Sequence, residues 1–79
     1  MKNPNGIKAF ATHLRRIRDS KNISQQKLAD TADIAKKTIQ RIENAQSSPS
    51  LDVLISLSRA LKISLQELTD FHIPKEKEH

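Results

Sequence analysis

Apolar residues recur along the chain at helical spacing, in five stretches separated by polar turns. Ile7, Phe10, Leu14 and Ile17 mark the buried stripe of a first helix that opens near Asn3 to Asn5, takes Pro4 in its first turn and runs to about Lys21. Ser24 caps a second helix, with Ile23 placed to staple onto Leu28 and with a small residue, Ala29, where the next helix must approach. A turn over Thr31 to Ile34 follows, and Asp33 is its left-handed residue, since Asp tolerates positive φ better than most side chains. In the third helix Ala35, Ile39 and Ile42 share one arc, while Lys36, Lys37, Gln40, Arg41 and Asn44 share the opposite one. After a polar loop from Ala45 to Pro49, Ser50 caps a fourth helix. Its Leu51, Leu54, Ile55, Leu57 and Leu61 form a face wide enough for a central core helix. Ser64 and Glu67 have the spacing of a capping box, which starts a fifth helix with Ile63 stapled onto Leu68. The pattern predicts an all-α domain of five helices over residues 7–70, between an N-terminal arm at 1–6 and a C-terminal tail at 71–79. The alternating charges from Pro74 to His79 read as disorder.

The third helix carries the chemistry. One side is built for burial, and the other offers long hydrogen-bonding groups and cations that reach base edges and phosphates. Arg41 suits guanine and Gln40 suits adenine, whereas Lys36 and Lys37 suit either bases or phosphates. The two lysines face the positive end of the helix dipole, at a cost of roughly 0.3 to 1 kcal/mol each, which a bound polyanion reverses. A merely solvated charged face is the bland alternative, and the unfavourable dipole placement weighs against it. Arg15, Arg16 and Arg18 crowd the last turns of the first helix. There they either complement the dipole or contact phosphate.

Composition narrows the field. A chain of 79 residues is one domain with a modest core and no room for the deep pocket that most enzymes need. It has no cysteine, hence no disulfide or thiolate metal site. No apolar run approaches the ~20 residues of a membrane span, and Met1 to Gly6 lacks the hydrophobic region of a signal peptide, so the expected location is cytoplasmic. His13, His72 and His79 have no paired ligand spacing, so no metal is expected. With one glycine, Gly6, before the helical pattern, there is neither a phosphate-binding glycine loop nor a nucleophile elbow. No catalysis, no cofactor and no small-molecule ligand is expected. The net charge is +5, unevenly spread: residues 1–49 hold ten Lys/Arg against four Asp/Glu, and residues 50–79 hold four against five. One end is thus suited to nucleic acid. Phe10 and Phe71 are the only aromatic residues and both sit in the apolar pattern. Stacking of unpaired bases has no platform, and double-stranded DNA is the expected partner. Leu65, Leu68, Phe71 and Ile73 offer more apolar surface than a short terminal helix buries, so they are the expected contact of a homodimer.

Several runs carry a family resemblance: Leu14-Arg15-Arg16-Ile17-Arg18-Asp19, Ile23-Ser24-Gln25-Gln26-Lys27-Leu28-Ala29, Thr38-Ile39-Gln40-Arg41-Ile42-Glu43-Asn44, Pro49-Ser50-Leu51 and Ala60-Leu61-Lys62-Ile63-Ser64-Leu65. Together, across roughly residues 7–70, the chain resembles Cro/C1-type (XRE-like) helix-turn-helix DNA-binding proteins. The resemblance implies a lambda-repressor-like bundle that regulates transcription, with the recognition helix at about 35–44 in the major groove of DNA and a dimer reading two half-sites. It implies base contacts from Lys36, Lys37, Gln40 and Arg41. Phosphate contacts are implied for Gln25, which also props the recognition helix, and for Thr38 and Asn44. It further implies a structural ion pair between Arg18 and Glu43, with any phosphate contact by Arg18 secondary. On the helical wheel Glu43 lies between buried Ile39 and exposed Lys36, a half-sheltered carboxylate in need of a cation.

The chain departs from the family pattern at four positions. Ala35 stands where a Ser or Thr cap is common, Asp33 and Ala45 where glycine is common, and Lys27 where the acidic partner of Ser24 belongs. The same fold also serves as a protein-interaction adaptor. Lys36, Lys37 and Arg41 favour DNA over that alternative.

Overall fold

The computed structural model describes residues 3–75 and contains five helices and no strand among them. They are α1 (Pro4–Ser20), α2 (Gln25–Ala32), α3 (Lys36–Glu43), α4 (Leu51–Leu61) and α5 (Leu65–Leu68). α1 and α2 both pack on α3, α2 also packs on α4, and α4 on α5. Leu14, Leu28, Ile39, Ile42, Leu57, Leu61 and Leu68 fill the centre, with Phe10 and Ala29 beside them.

Local chemistry sets the ends of the helices. Ser24, Ser50 and Ser64 each accept a hydrogen bond from the backbone N–H three residues on, and Glu67 completes a capping box with Ser64. Four helices end through a residue in the left-handed region, and none of the four is glycine: Asn22, Asp33, Ala45 and Lys62 have φ of 55°, 56°, 57° and 57°. At three of them the next residue is isoleucine (Ile23, Ile34, Ile63), whose N–H returns to Arg18 O, Ala29 O and Ser58 O, respectively. Each isoleucine also packs against the core, so burial of the following side chain offsets the strain of the left-handed residue. Ala45 is followed by Gln46 and lacks that compensation.

Three expectations change. Residues 4–6, placed in an arm by the domain division, form the first turn of α1, in keeping with the helix start expected near Asn3 to Asn5, because Pro4 loses nothing where helix N–H groups have no partner. Leu51, assigned to the core face, is 62% exposed, since it lies at the outer edge of the first turn of α4. Residues 71–74, assigned to the tail, fold back on α1. The Phe71 ring lies 5.8 Å from Phe10 and 5.6 Å from His13, and Asn5 Nδ2 donates to Pro74 O at 3.3 Å. His13 Nε2 reinforces this by hydrogen bonding to Glu67 O at 2.9 Å. Leu68 is fully buried within the monomer and so is not free to meet a second copy, whereas Phe71 is half-buried and keeps part of its ring at the surface. The last four residues of the expected disordered tail, 76–79, lie outside the described residues.

Candidate nucleic-acid interface

α2 and α3 are joined by Asp33, Ile34 and Ala35, with Asp33 in the left-handed conformation expected of it. Ile34 returns its N–H to Ala29 O at 2.9 Å, which closes a tight turn and fixes the two helices against each other. α3 then buries Ile39, Ile42 and Glu43 and exposes Lys36, Lys37, Gln40, Arg41 and Asn44; Thr38 is half-buried. Lys36, Lys37, Gln40 and Arg41 make no side-chain hydrogen bond or ion pair with another described residue. Ala35 provides no side-chain cap, and Asp33 does not substitute for it, so the start of α3 presents backbone N–H groups and two lysines together. Such an end attracts anions.

The rear of α3 is fixed through Glu43, only 4% exposed and so more sheltered than a helical wheel indicates. Arg18 donates to it twice, Nε to Oε2 at 2.7 Å and Nη2 to Oε1 at 3.0 Å. Gln25 Nε2 donates to Oε1 at 3.0 Å, so the start of α2 also props α3. Burial alone would raise the Glu43 carboxyl. The hydrogen bonds from Arg18 and Gln25, with the charges of Arg18 and Arg15, hold it below the usual glutamate value. The same hydrogen bond raises the Arg18 guanidinium above its usual value, against the opposing effect of its own burial.

The cationic side chains of α1 diverge in their use. Arg18 also donates from Nη1 to Ile23 O at 2.8 Å and pairs with Asp19 at 3.4 Å; with its side chain 12% exposed it is withdrawn from the set of phosphate contacts. Arg16 is exposed. Arg15 donates from Nη2 to the main-chain oxygen of Glu43 at 3.2 Å, a contact that sequence reasoning missed. Its signal was the three-residue spacing of Arg15 and Arg18, which places both on one face of α1.

A family profile described as helix-turn-helix matches residues 14–68, a span that includes α2, α3 and the ion pair behind them. The chain belongs to the helix-turn-helix family. Over 63 residues it is 40% identical to the control protein C.BamHI of Bacillus amyloliquefaciens, covering 78% of each chain. It is 31% identical over 72 residues, 91% of this chain, to a Methanocaldococcus jannaschii protein described as an HTH-type transcriptional regulatory protein, but it spans only 23% of that relative's length. Among solved structures it is similar to the restriction-modification controller protein C.AhdI from Aeromonas hydrophila, with a TM-score of 0.76 and 31% identity over 78% of this chain and 94% of that one. The helix-turn-helix unit thus includes both the core residues Leu28, Ala29, Ile39 and Ile42 and the outward side chains of α3.

Proposed function

We propose that this helix-turn-helix protein is a sequence-specific regulator of transcription that inserts α3 into the major groove of double-stranded DNA. The observation that carries this reading is the division of α3. Lys36, Lys37, Gln40 and Arg41 point outward with no partner among the described residues, and Ile39, Ile42 and Glu43 lock the opposite side to the domain. Gln40 and Arg41, one turn into the helix, read base edges. Lys36, Lys37, Thr38 and Asn44 serve the groove walls, and Arg16 adds a further phosphate contact.

The protein works as a two-fold dimer that presents two copies of α3 about 34 Å apart, one turn of duplex. Leu51 and Ile73, the two most exposed large apolar side chains among the described residues, are 62% and 53% exposed and support an interface. Between α1, the 48–49 loop, α4 and the C-terminal segment lies a mainly apolar groove of about 300 Å³, lined by Ile7, Pro49, Leu54 and Ile73 among others. Leu65 is half-buried and Leu68 fully buried, so Leu51 and Ile73 carry the proposed contact. The similarity to C.AhdI over nearly the whole of that chain favours control of a restriction-modification system as the biological setting.

Selection from a random duplex pool tests the reading. Recovery of a shared motif with two-fold symmetry is expected. Recovery of unrelated sequences, with binding that vanishes as salt rises, would leave only non-specific attraction to a polyanion.

A further inference from the structure

We infer that Arg15 is a positioning residue for the recognition helix: its guanidinium holds the carbonyl at the C-terminal end of α3 and so fixes how Gln40 and Arg41 face DNA. The inference rests on the reading of α3 as the recognition helix. Three observations support it. First, the turn after α3 spends its N–H groups on three carbonyls: Asn44 N on Gln40 O at 2.9 Å, Gln46 N on Arg41 O at 2.8 Å and Ala45 N on Ile42 O at 3.1 Å. The remaining carbonyl of that last turn, Glu43 O, accepts from Arg15 Nη2 at 3.2 Å. A cation there also complements the negative end of the helix dipole.

Second, Arg15 Nε lies 3.5 Å from Glu43 Oε1, so one planar guanidinium spans the main chain and the side chain of the same residue. Arg18 and Gln25 hold the carboxylate alone; Arg15 ties it to the backbone of α3. Third, α3 is short, and beyond its buried side chains and the bonds to the Glu43 carboxylate it has few restraints on the path of its main chain. Eight residues make a helix of only about 12 Å. Its N-terminus has no side-chain cap, and its exit runs through Ala45 in a left-handed conformation that alanine disfavours. Gln40 and Arg41 precede Glu43 by three and two residues, so any rotation of that end displaces their tips from the base edges.

Arg15 has a 51% exposed side chain, which makes phosphate the competing partner. Arg15→Lys and Arg15→Met separate the two roles. Lysine keeps the charge that a phosphate needs but loses the planar fork that reaches the carbonyl and the carboxylate through two separate nitrogens. Binding is measured on a duplex enriched by the wild type and on a random-sequence duplex across a salt series, and amide hydrogen exchange is followed in the free protein. The expected result is that both variants lose about tenfold of the discrimination between the duplexes. The salt slope on the random duplex stays at the wild-type value. Exchange accelerates in α3 and its exit turn, with Leu57 and Leu61 of α4 unchanged. Rescue by lysine, with a salt slope shallower by about 0.9 for Arg15→Met, would establish a phosphate contact and overturn the inference. Unchanged exchange in α3 would overturn it too. A wild type that fails to discriminate the duplexes would defeat the DNA-reading role of α3 instead, and exchange would still decide whether Arg15 holds the helix.

Discussion

Arg18 and Glu43, 25 residues apart in sequence, face each other through two parallel hydrogen bonds of 2.7 and 3.0 Å and so lock α1 to α3. With Glu43 almost fully buried, loss of either partner strands a charge. Glu43→Ala and Arg18→Ala are each expected to destabilise the domain by about 3 to 5 kcal/mol, and the double variant by much less than the sum. Urea unfolding of all four proteins measures the coupling. Simple additivity would show that the pair is not the linkage described.

The same carboxylate makes stability depend on pH in one direction. Because folding lowers the Glu43 pKa, its contribution is complete above the unfolded value of about 4.3 and is lost as pH falls through the lower folded value. Wild type is expected to exceed Glu43→Gln in urea midpoint at pH 7, and the gap is expected to close in strong acid. A gap of constant size would contradict an ionised, hydrogen-bonded Glu43.

Ala45 carries strain without the core-packed isoleucine that follows the other left-handed residues. Ala45→Gly is expected to raise stability by about 0.5 to 1 kcal/mol, with the relief of left-handed strain exceeding the added freedom of the unfolded chain. Thermal melts would show a higher midpoint, and a lower one would mean that the turn is not strained.

Leu51 and Ile73 are proposed to be covered by a second copy. Their replacement by serine leaves the monomer core untouched and is expected to weaken self-association by at least about tenfold each. Sedimentation at micromolar concentration compares them with the wild type. A monomeric wild type removes the dimer, and a dimer indifferent to both substitutions moves the interface elsewhere. Leu68→Ser is expected to unfold the protein instead, because Leu68 is fully buried.

Much of this was legible in the order of residues. Helical spacing and three serine caps fixed where the helices begin, and the division of α3 into two arcs was visible from its eight residues. What spacing cannot carry is the set of contacts between distant segments. The apolar residues Leu65, Leu68, Phe71 and Ile73 read as surplus surface, yet Phe71 finds Phe10 and His13 on its own first helix, 61 and 58 residues away. Leu51 shared the apolar pattern of α4 but lies at its exposed outer edge. Arg15 resembled a phosphate ligand because a cation on an exposed position signals charge, whereas the carbonyl it holds leaves no trace in residue type.

The most direct test of the account is fluorescence anisotropy of wild type and Arg41→Ala on the selected duplex and on a scrambled duplex at one salt concentration. Arg41→Ala is expected to lose about 1 to 3 kcal/mol on the selected duplex and little on the scrambled one, with preference relaxed at a single base pair. An equal loss on both duplexes would contradict base reading by α3.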